Sequence, residues 1–336
     1  MPRHGRIDYP GALHHVIIRG INRAAIFKDN VDRRDFLFRL EKGLEKTGLI
    51  CYAWALIPNH VHILLRTGSQ SLTSLMRSLL SGYALSYNRR HGRVGYLFQN
   101  RYKSILCDDK RYFLQLVRYI HLNPLRASLV QDLWSLNSFP WSGHSTIMGK
   151  YDEGWQNTQT ILRYFGANIR ESRENYFNFV RKGIVEGRRK DLTGGGLLRS
   201  YGGWDSILNQ RKGGERWRGD ERILGDSEFV KFALAKAEEK LTRRLEKKNA
   251  GWNLSSLLKY IGKLFQIEKK RIRSRRRDKE VSTARAVFIW LAIEELGYSG
   301  TEVAIFLRVT PQAVSQSLHK GRMIVEERGI ELSQIN

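Results

Sequence analysis

The sequence predicts an α+β protein: an antiparallel sheet with packed helices, followed by an all-α helix-turn-helix carboxy-terminal domain. Three observations lead there. Residues 1–150 alternate strand-like and helix-like patterns in the order strand, helix, two strands, helix, strand, helix, which suits one compact layered domain. Residues 251–336 show helical periodicity only, ending in two short helices around a tight turn. Residues 151–250 lie between as a helical, basic connecting region.

The elements follow in chain order. HHVIIR (14–19) reads as a strand, and Gly20 and Asn22 turn the chain. Asn30 or Asp32 starts a helix with Phe36, Leu37, Leu40 and Leu44 on one face, ending near Gly48. ICYAWALI (50–57) and HVHILLR (60–66) read as strands around Pro58-Asn59. Ser71 opens a helix that buries Leu72, Leu75, Met76, Leu79 and Leu80. Gly92 and Gly95 flank a turn, and 96–107 reads as extended. Asp108 and Asp109 start a helix that buries Tyr112, Phe113, Leu116, Val117 and Ile120, with Pro124 at its end. Further on, aromatic pairs near 164 and 176 suggest small helices. Residues 187–196 read as basic and flexible, 200–222 resist assignment, and 227–247 read as a charged helix. In the last domain a helix over 254–264 precedes Lys269–Lys279, a run of eight basic residues and one acid. Helices are then expected over Thr283–Leu296, Thr301–Leu307 and Pro311 to about His319, with Gly321 as a stop.

Composition narrows the function. Lys and Arg total 58 against 33 Asp and Glu, a formal charge of +25. A polyanionic partner explains this directly, because each neutralised phosphate releases a condensed counterion; a merely soluble basic protein is the plainer alternative. Hydrophobic residues make up 41%, enough for a packed core. No apolar run reaches the roughly 18 residues of a membrane span, and MPRHGRIDYPGALHH lacks the apolar run of a signal peptide. The expected location is cytoplasmic, on the bacterial nucleoid, with no membrane partner. Cys51 and Cys107 form no Cys-x-x-Cys pair and read as buried free thiols.

Two local patterns could carry chemistry. His60-Val61-His62 sits on a predicted strand, where alternate residues share a face, so two imidazoles could hold one metal ion. Surface or hydrogen-bonded histidines fit the same pattern. Tyr119 and Asn123 are four apart and would share a helix face, although Asn123 precedes Pro124, which disfavours helical geometry there. A boundary tyrosine with its hydroxyl in water fits equally. His14, His15 and His121 read as structural or surface residues.

In combination these segments resemble a known family. IPNHVHILL (57–65) and RYIHLNPLRAS (118–128), with the opening PRHGRIDYPGALHHVIIRGINR and YLFQNRYKSIL (96–106), resemble the REP-associated tyrosine transposases, members of the single-tyrosine HUH group. The resemblance covers about residues 1–145. It implies a ferredoxin-like HUH catalytic domain with Tyr119 as nucleophile and His60, His62 and Asn123 as ligands of Mg²⁺ or Mn²⁺. It also implies a metal-dependent endonuclease and strand transferase acting on single-stranded DNA at palindromic hairpin repeats, through a 5′-phosphotyrosine. Arg19, Gln99, Arg101, Tyr102 and Lys103 lie in matching segments. Arg101 and Lys103 suit phosphate contacts and Tyr102 could stack a base, while solvated charges on an edge strand are the bland reading. A non-catalytic, sequence-specific DNA-binding regulator is the alternative function.

Residues 281–320 resemble the DNA-binding domain of the bacterial replication initiator DnaA in the ARAVFIWL-type helix, the Gly-Tyr-Ser turn and the helix-turn-helix register. The recognition segment departs from the initiator's signature. The resemblance implies a duplex DNA partner, with Gln312, Ser315 and Gln316 as base-reading candidates, Thr310 on phosphate, and Arg273, Arg275, Arg276 and Arg277 as backbone charge. A three-helix packing module would look similar. Nothing in the sequence separates monomer from homodimer.

Overall fold

The computed structural model describes residues 7–68, 70–187, 189, 192, 220, 222–274 and 278–332. Its contacts divide the chain into two units, Met1–Ala235 and Lys236–Asn336. The first unit runs past the expected boundary at 150 because residues 158–182 share a core with the sheet, as described below.

The amino-terminal unit is built on a five-stranded sheet of order β2-β3-β1-β4-β5. Its strands are β1 (Leu13–Arg19), β2 (Ile50–Ile57), β3 (His60–Arg66), β4 (Lys103–Cys107) and β5 (Ile223–Leu224). The first four pair antiparallel, as expected, whereas β5 joins β4 in parallel, so the sheet is mixed. The stretch 96–102, expected to be extended, contributes one isolated bridge, Gly20 to Phe98, and strand geometry starts only at Lys103.

Period-two alternation sorts the side chains. Val16, Ile18, Trp54, Leu56, Val61, Ile63 and Leu65 face α1 (Asn30–Thr47) and α2 (Leu72–Arg90) in one core. Asp29 caps α1 by accepting from the Val31 and Asp32 amides, and Gly48 ends it in the left-handed region (φ 65°). Helix α2 buries Leu72, Leu75, Met76, Leu79, Tyr83 and Tyr87, a stripe at three- and four-residue spacing.

The opposite sheet face packs on α3 (Asp109–His121), α4 (Asn123–Arg126), α5 (Leu133–Asn137), α6 (Gly143–Ile147), α7 (Thr158–Leu162) and α8 (Ile169–Lys182). Leu13, Ala53, Ala55, Leu64 and Ile105 of the sheet share this second core with Leu116, Val117, Ile120, Ile161, Tyr176 and Val180. The free edge of β2 is covered by bridges from Ser142 and Gln156, and the Trp54 indole donates to Gln156 Oε1 at 2.9 Å. Both cysteines are buried and neither forms a disulfide. Among the described residues no helix is long and apolar enough to cross a membrane.

A fully buried polar strut fastens α3. His121 Nδ1 meets the Tyr176 hydroxyl at 2.7 Å, that hydroxyl meets His144 Nδ1 at 3.0 Å, and His144 Nε2 meets Asn137 Oδ1 at 2.7 Å. Because Asn137 Oδ1 only accepts, His144 holds its proton on Nε2; Tyr176 donates to His144 Nδ1 and accepts from His121. Burial lowers the His144 pKa to about 3 and takes His121 well below its ordinary value. Unfolded imidazoles protonate near pH 6.5. Between there and about pH 3 the unfolded chain binds more protons, so stability falls as pH falls through that window. Urea midpoints should therefore drop from pH 7 to pH 5, and a His121→Gln/His144→Gln double variant should show a shallower slope. An unchanged slope would sever the strut from the acid response.

The carboxy-terminal unit is helical. Helix α9 (Ser227–Asn249) runs across the division into it. It continues with α10 (Leu254–Leu264), α11 (Lys269–Ile272), α12 (Lys279–Trp290), α13 (Gly300–Leu307) and α14 (Pro311–Arg328). After Trp290 the chain continues as a π-helical turn, Leu291–Glu295, where a plain α-helix was expected. The Arg244 guanidinium donates to the Ile293 and Glu294 carbonyls, satisfying acceptors near that irregular end. Ser299 and Glu302 form a capping box at α13.

Helix α14 starts as expected, with Thr310 accepting from the Ala313 amide and Pro311 in the first turn. It does not stop at Gly321. Instead Gly321 lies against α12 so closely that a Cβ there would sit 2.0 Å from the Ala286 carbonyl oxygen. The glycine is a crossing point, and the helix ends at Gly329 (φ 58°).

Candidate active site

The α3-facing side of β1 and β3 carries a row of imidazoles. In the β1–β3 register His60 pairs with Arg19, His62 with Ile17 and His15 with Leu64, so His15 and His62 are diagonal neighbours on that face. Their rings stack with centroids 5.1 Å apart, and His15 Nε2 lies 2.9 Å from His62 Nδ1. His60 and His62 meet edge to face at 5.1 Å. Tyr119 of α3 lies over the row, its ring 5.8 Å from His62 and 5.9 Å from His15. Four side chains from three separate segments thus meet on one face of the sheet.

Hydrogen bonds set the imidazole tautomers. Asn59 Nδ2 donates to the Arg23 carbonyl at 3.0 Å, so Asn59 Oδ1 is the atom facing His60 Nδ1 at 2.7 Å. His60 Nδ1 therefore carries the proton and Nε2 keeps its lone pair. Burial, with the nearby Arg19 charge, lowers the His60 pKa to about 4. His62 is lowered well below its ordinary value, first by burial and then by His15, His60 and Arg19. Both rings are neutral at neutral pH, the form that ligates metal.

The donor set fits a divalent cation. Both histidines use Nδ1 within the protein, which leaves Nε2 of each as the ligating atom. Asn123 is 9% exposed and its Nδ2 is a buried atom with no hydrogen-bond partner. Rotating that amide would present its oxygen at the same position. Among the described residues no cluster of three or more His, Cys, Asp or Glu is arranged to hold a cation. The structure also resolves the question raised by Pro124. Helix α3 ends at His121, Leu122 stays in the right-handed helical region (φ −81°, ψ −7°), and Asn123 opens the short α4. Tyr119 and Asn123 are therefore separated by a helix junction.

Two residues join the site that sequence reading placed elsewhere or overlooked. His15, expected to be structural or on the surface, is at its centre and fully buried. Arg126 holds its guanidinium 5.2 Å from the Tyr119 ring centre and donates to the Tyr119 carbonyl at 3.3 Å. Its place in RYIHLNPLRAS was the only available signal.

The remaining candidates separate by exposure. Arg19, Gln99, Arg101 and Lys103 are exposed, and the Gln99 amide donates to the Arg19 carbonyl at 2.9 Å. Tyr102 is a correction. It is 8% exposed and packs into the α1/α2 core with its hydroxyl 3.4 Å from Thr73 Oγ1, so no base can stack on it without unpacking that core. In the carboxy-terminal unit Thr310, Gln312, Ser315 and Gln316 are exposed. Arg273 is partly committed: its Nε donates to the Phe306 carbonyl at 2.9 Å and its guanidinium lies 4.8 Å from that ring centre. Arg275, Arg276 and Arg277 lie outside the described residues, as do most of 188–221.

Two comparisons found proteins to which part of the chain is similar. The family model for IS200-like transposases matches residues 9–123, a span that holds β1, the imidazole row, Tyr119 and Asn123. That part of the chain is similar to the IS200-like transposases, a likeness that spans less than half of the sequence. A solved structure of a REP-associated tyrosine transposase bound to a REP hairpin is also similar. It covers 50% of this chain and 93% of its own, at 14% identity and a TM-score of 0.38. No curated protein matches the chain.

Proposed function

We propose that this protein cuts and rejoins single-stranded DNA at hairpin repeats, with Tyr119 as the nucleophile and a divalent metal, Mg²⁺ or Mn²⁺, held by His60, His62 and Asn123. The observation that carries the reading is the packing of the Tyr119 ring on His62 and His15 against the sheet. A bound cation would polarise the scissile phosphate and favour departure of the 3′-oxygen. Tyr119 supplies the covalent step. Its phenolic oxygen bonds to phosphorus, the phosphorus–O3′ bond breaks, the phenolic proton is lost and the freed 3′-oxygen takes one up. The 5′-phosphotyrosine conserves the bond energy, so a second 3′-hydroxyl can reverse the step and rejoin a strand. Phenol is a weak nucleophile at neutral pH; the Arg126 guanidinium beside the ring offsets the negative charge that grows on its oxygen.

The hairpin substrate rests on the sequence resemblance in IPNHVHILL and RYIHLNPLRAS. The exposed Gln312, Ser315 and Gln316 on α14, with Thr310 at its start, support duplex reading by the carboxy-terminal unit. An end-labelled hairpin oligonucleotide with flanking unpaired bases, incubated with Mg²⁺ or Mn²⁺, tests the proposal. Wild-type protein should give a denaturation-resistant protein–DNA adduct, and Tyr119→Phe should give none. Tight binding with no adduct across metals and hairpin sequences would instead favour a DNA-binding regulator.

A further inference from the structure

The loop between α2 and β4 projects two large apolar side chains into water, Val94 at 96% exposure and Tyr96 at 84%. The loop itself is well anchored. Asn88 Nδ2 donates to the Gly95 carbonyl at 2.8 Å and the Arg93 amide to the Asn88 carbonyl at 2.9 Å. Gly92 (φ 61°) and Gly95 (φ 93°) take the left-handed conformations the turn needs. Leu97 is buried, and Phe98 packs 6.4 Å from Tyr83. An apolar pair held out by a braced backbone has a solvation cost that a partner would relieve.

Position and charge say which partner. The Ile21 amide donates to the Leu97 carbonyl at 3.0 Å, and the Gln99 amide to Arg19, the cross-strand neighbour of His60. The loop is therefore stitched to the end of the sheet that carries the imidazole row. No Asp or Glu occurs between Glu45 and Asp108, whereas Arg89, Arg101 and Lys103 are exposed on either side of the loop. A braced, exposed tyrosine in a stretch of cations suits a nucleic-acid base, which offers a flat π face on a polyanionic chain.

We propose that Tyr96, backed by Val94, is a stacking platform for an unpaired base of the DNA substrate, gripping the single strand beside the candidate active site. This deepens the functional reading above and takes the role first expected of Tyr102. Because an 84%-exposed side chain contributes little to the core, Tyr96→Ala should fold normally.

The test is binding of the full-length chain to a single-stranded oligonucleotide that carries the fluorescent base 2-aminopurine, read by quenching and by titration. Tyr96→Ala should weaken binding on the order of 10- to 100-fold, the scale of one aromatic–base stack, and lose quenching. Tyr96→Trp should retain both. The slope of affinity against salt should stay unchanged, since no phosphate contact is removed. Equal affinity and quenching for wild type and Tyr96→Ala would overturn the proposal. So would a change in self-association with DNA binding unaltered, which would make the loop a contact between copies. Binding and adduct formation are read separately. A wild type that forms adduct but ignores Tyr96→Ala sinks only the platform, whereas a Tyr96-dependent binder that never forms adduct sinks only the nuclease.

Discussion

His62→Ala should abolish detectable Mn²⁺ binding and, with it, the covalent adduct. The His62 side chain is buried beside His15, His60 and Tyr119, so alanine removes a nitrogen donor and leaves a gap in its place. Losing one of two imidazoles from a three-ligand set should cost at least about 100-fold in metal affinity. His15 sharpens the test, because its ring meets His62 at Nδ1, the atom opposite the proposed ligating nitrogen. For His62 to present Nε2 outward it must donate from Nδ1, and the acceptor 2.9 Å away is His15 Nε2. His15 then carries its own proton on Nδ1. His15→Ala should weaken Mn²⁺ about 10- to 100-fold. His15→Gln, whose amide oxygen can accept the same bond, should recover part of the loss. Titration by electron paramagnetic resonance reads this without reference to cleavage. If His15→Ala binds Mn²⁺ like wild type, the His62 orientation is set by something else.

The residues that proved hardest to place in sequence are those whose role depends on a partner far along the chain. HVHILLR is a strand over the whole of His60–Arg66 because a short apolar run buried on both faces lies between turn signals, and the two-residue period of a strand alone puts His60 and His62 on one face. The same rule puts His15 on a definite face of β1, but not beside His62; that follows from the β1–β3 register, which local pattern does not contain. Arg101, Tyr102 and Lys103 read together as one DNA-facing run. The pleat separates Tyr102 from Lys103, turning the tyrosine into the α1/α2 core and leaving the exposed aromatic role to Tyr96 before the strand begins. Asn123-Pro124 is legible as a helix boundary, yet Leu122 remains helical and a new helical turn starts at Asn123.

Gly321 shows the same limit at its sharpest, and replacing it should have the largest effect on stability. A glycine in the middle of an 18-residue helix normally costs about 1 kcal/mol relative to alanine. Propensity alone therefore predicts that Gly321→Ala stabilises α14. The packing predicts the reverse. The added carbon would lie 2.0 Å from the Ala286 oxygen, 2.6 Å from the Ala286 carbonyl carbon and 2.9 Å from the Trp290 Cβ. None of these atoms is the free end of a flexible side chain, so relief requires α12 and α14 to move apart. Both helices line the core formed by Val281, Ala284, Phe288, Val314 and Val325, and separating them opens that core to voids and water. Overpacking against a rigid backbone costs about 1–3 kcal/mol and sometimes more. That is a large share of the roughly 5–15 kcal/mol that holds a domain folded. Gly321→Ala should lower the melting temperature of the carboxy-terminal unit by several degrees, and Gly321→Val should leave it largely unfolded at 37 °C. Duplex binding through Gln312, Ser315 and Gln316 should fall in step with the folded fraction. A Gly321→Ala protein that melts higher than wild type would show that the two helices cross less tightly than the structure places them.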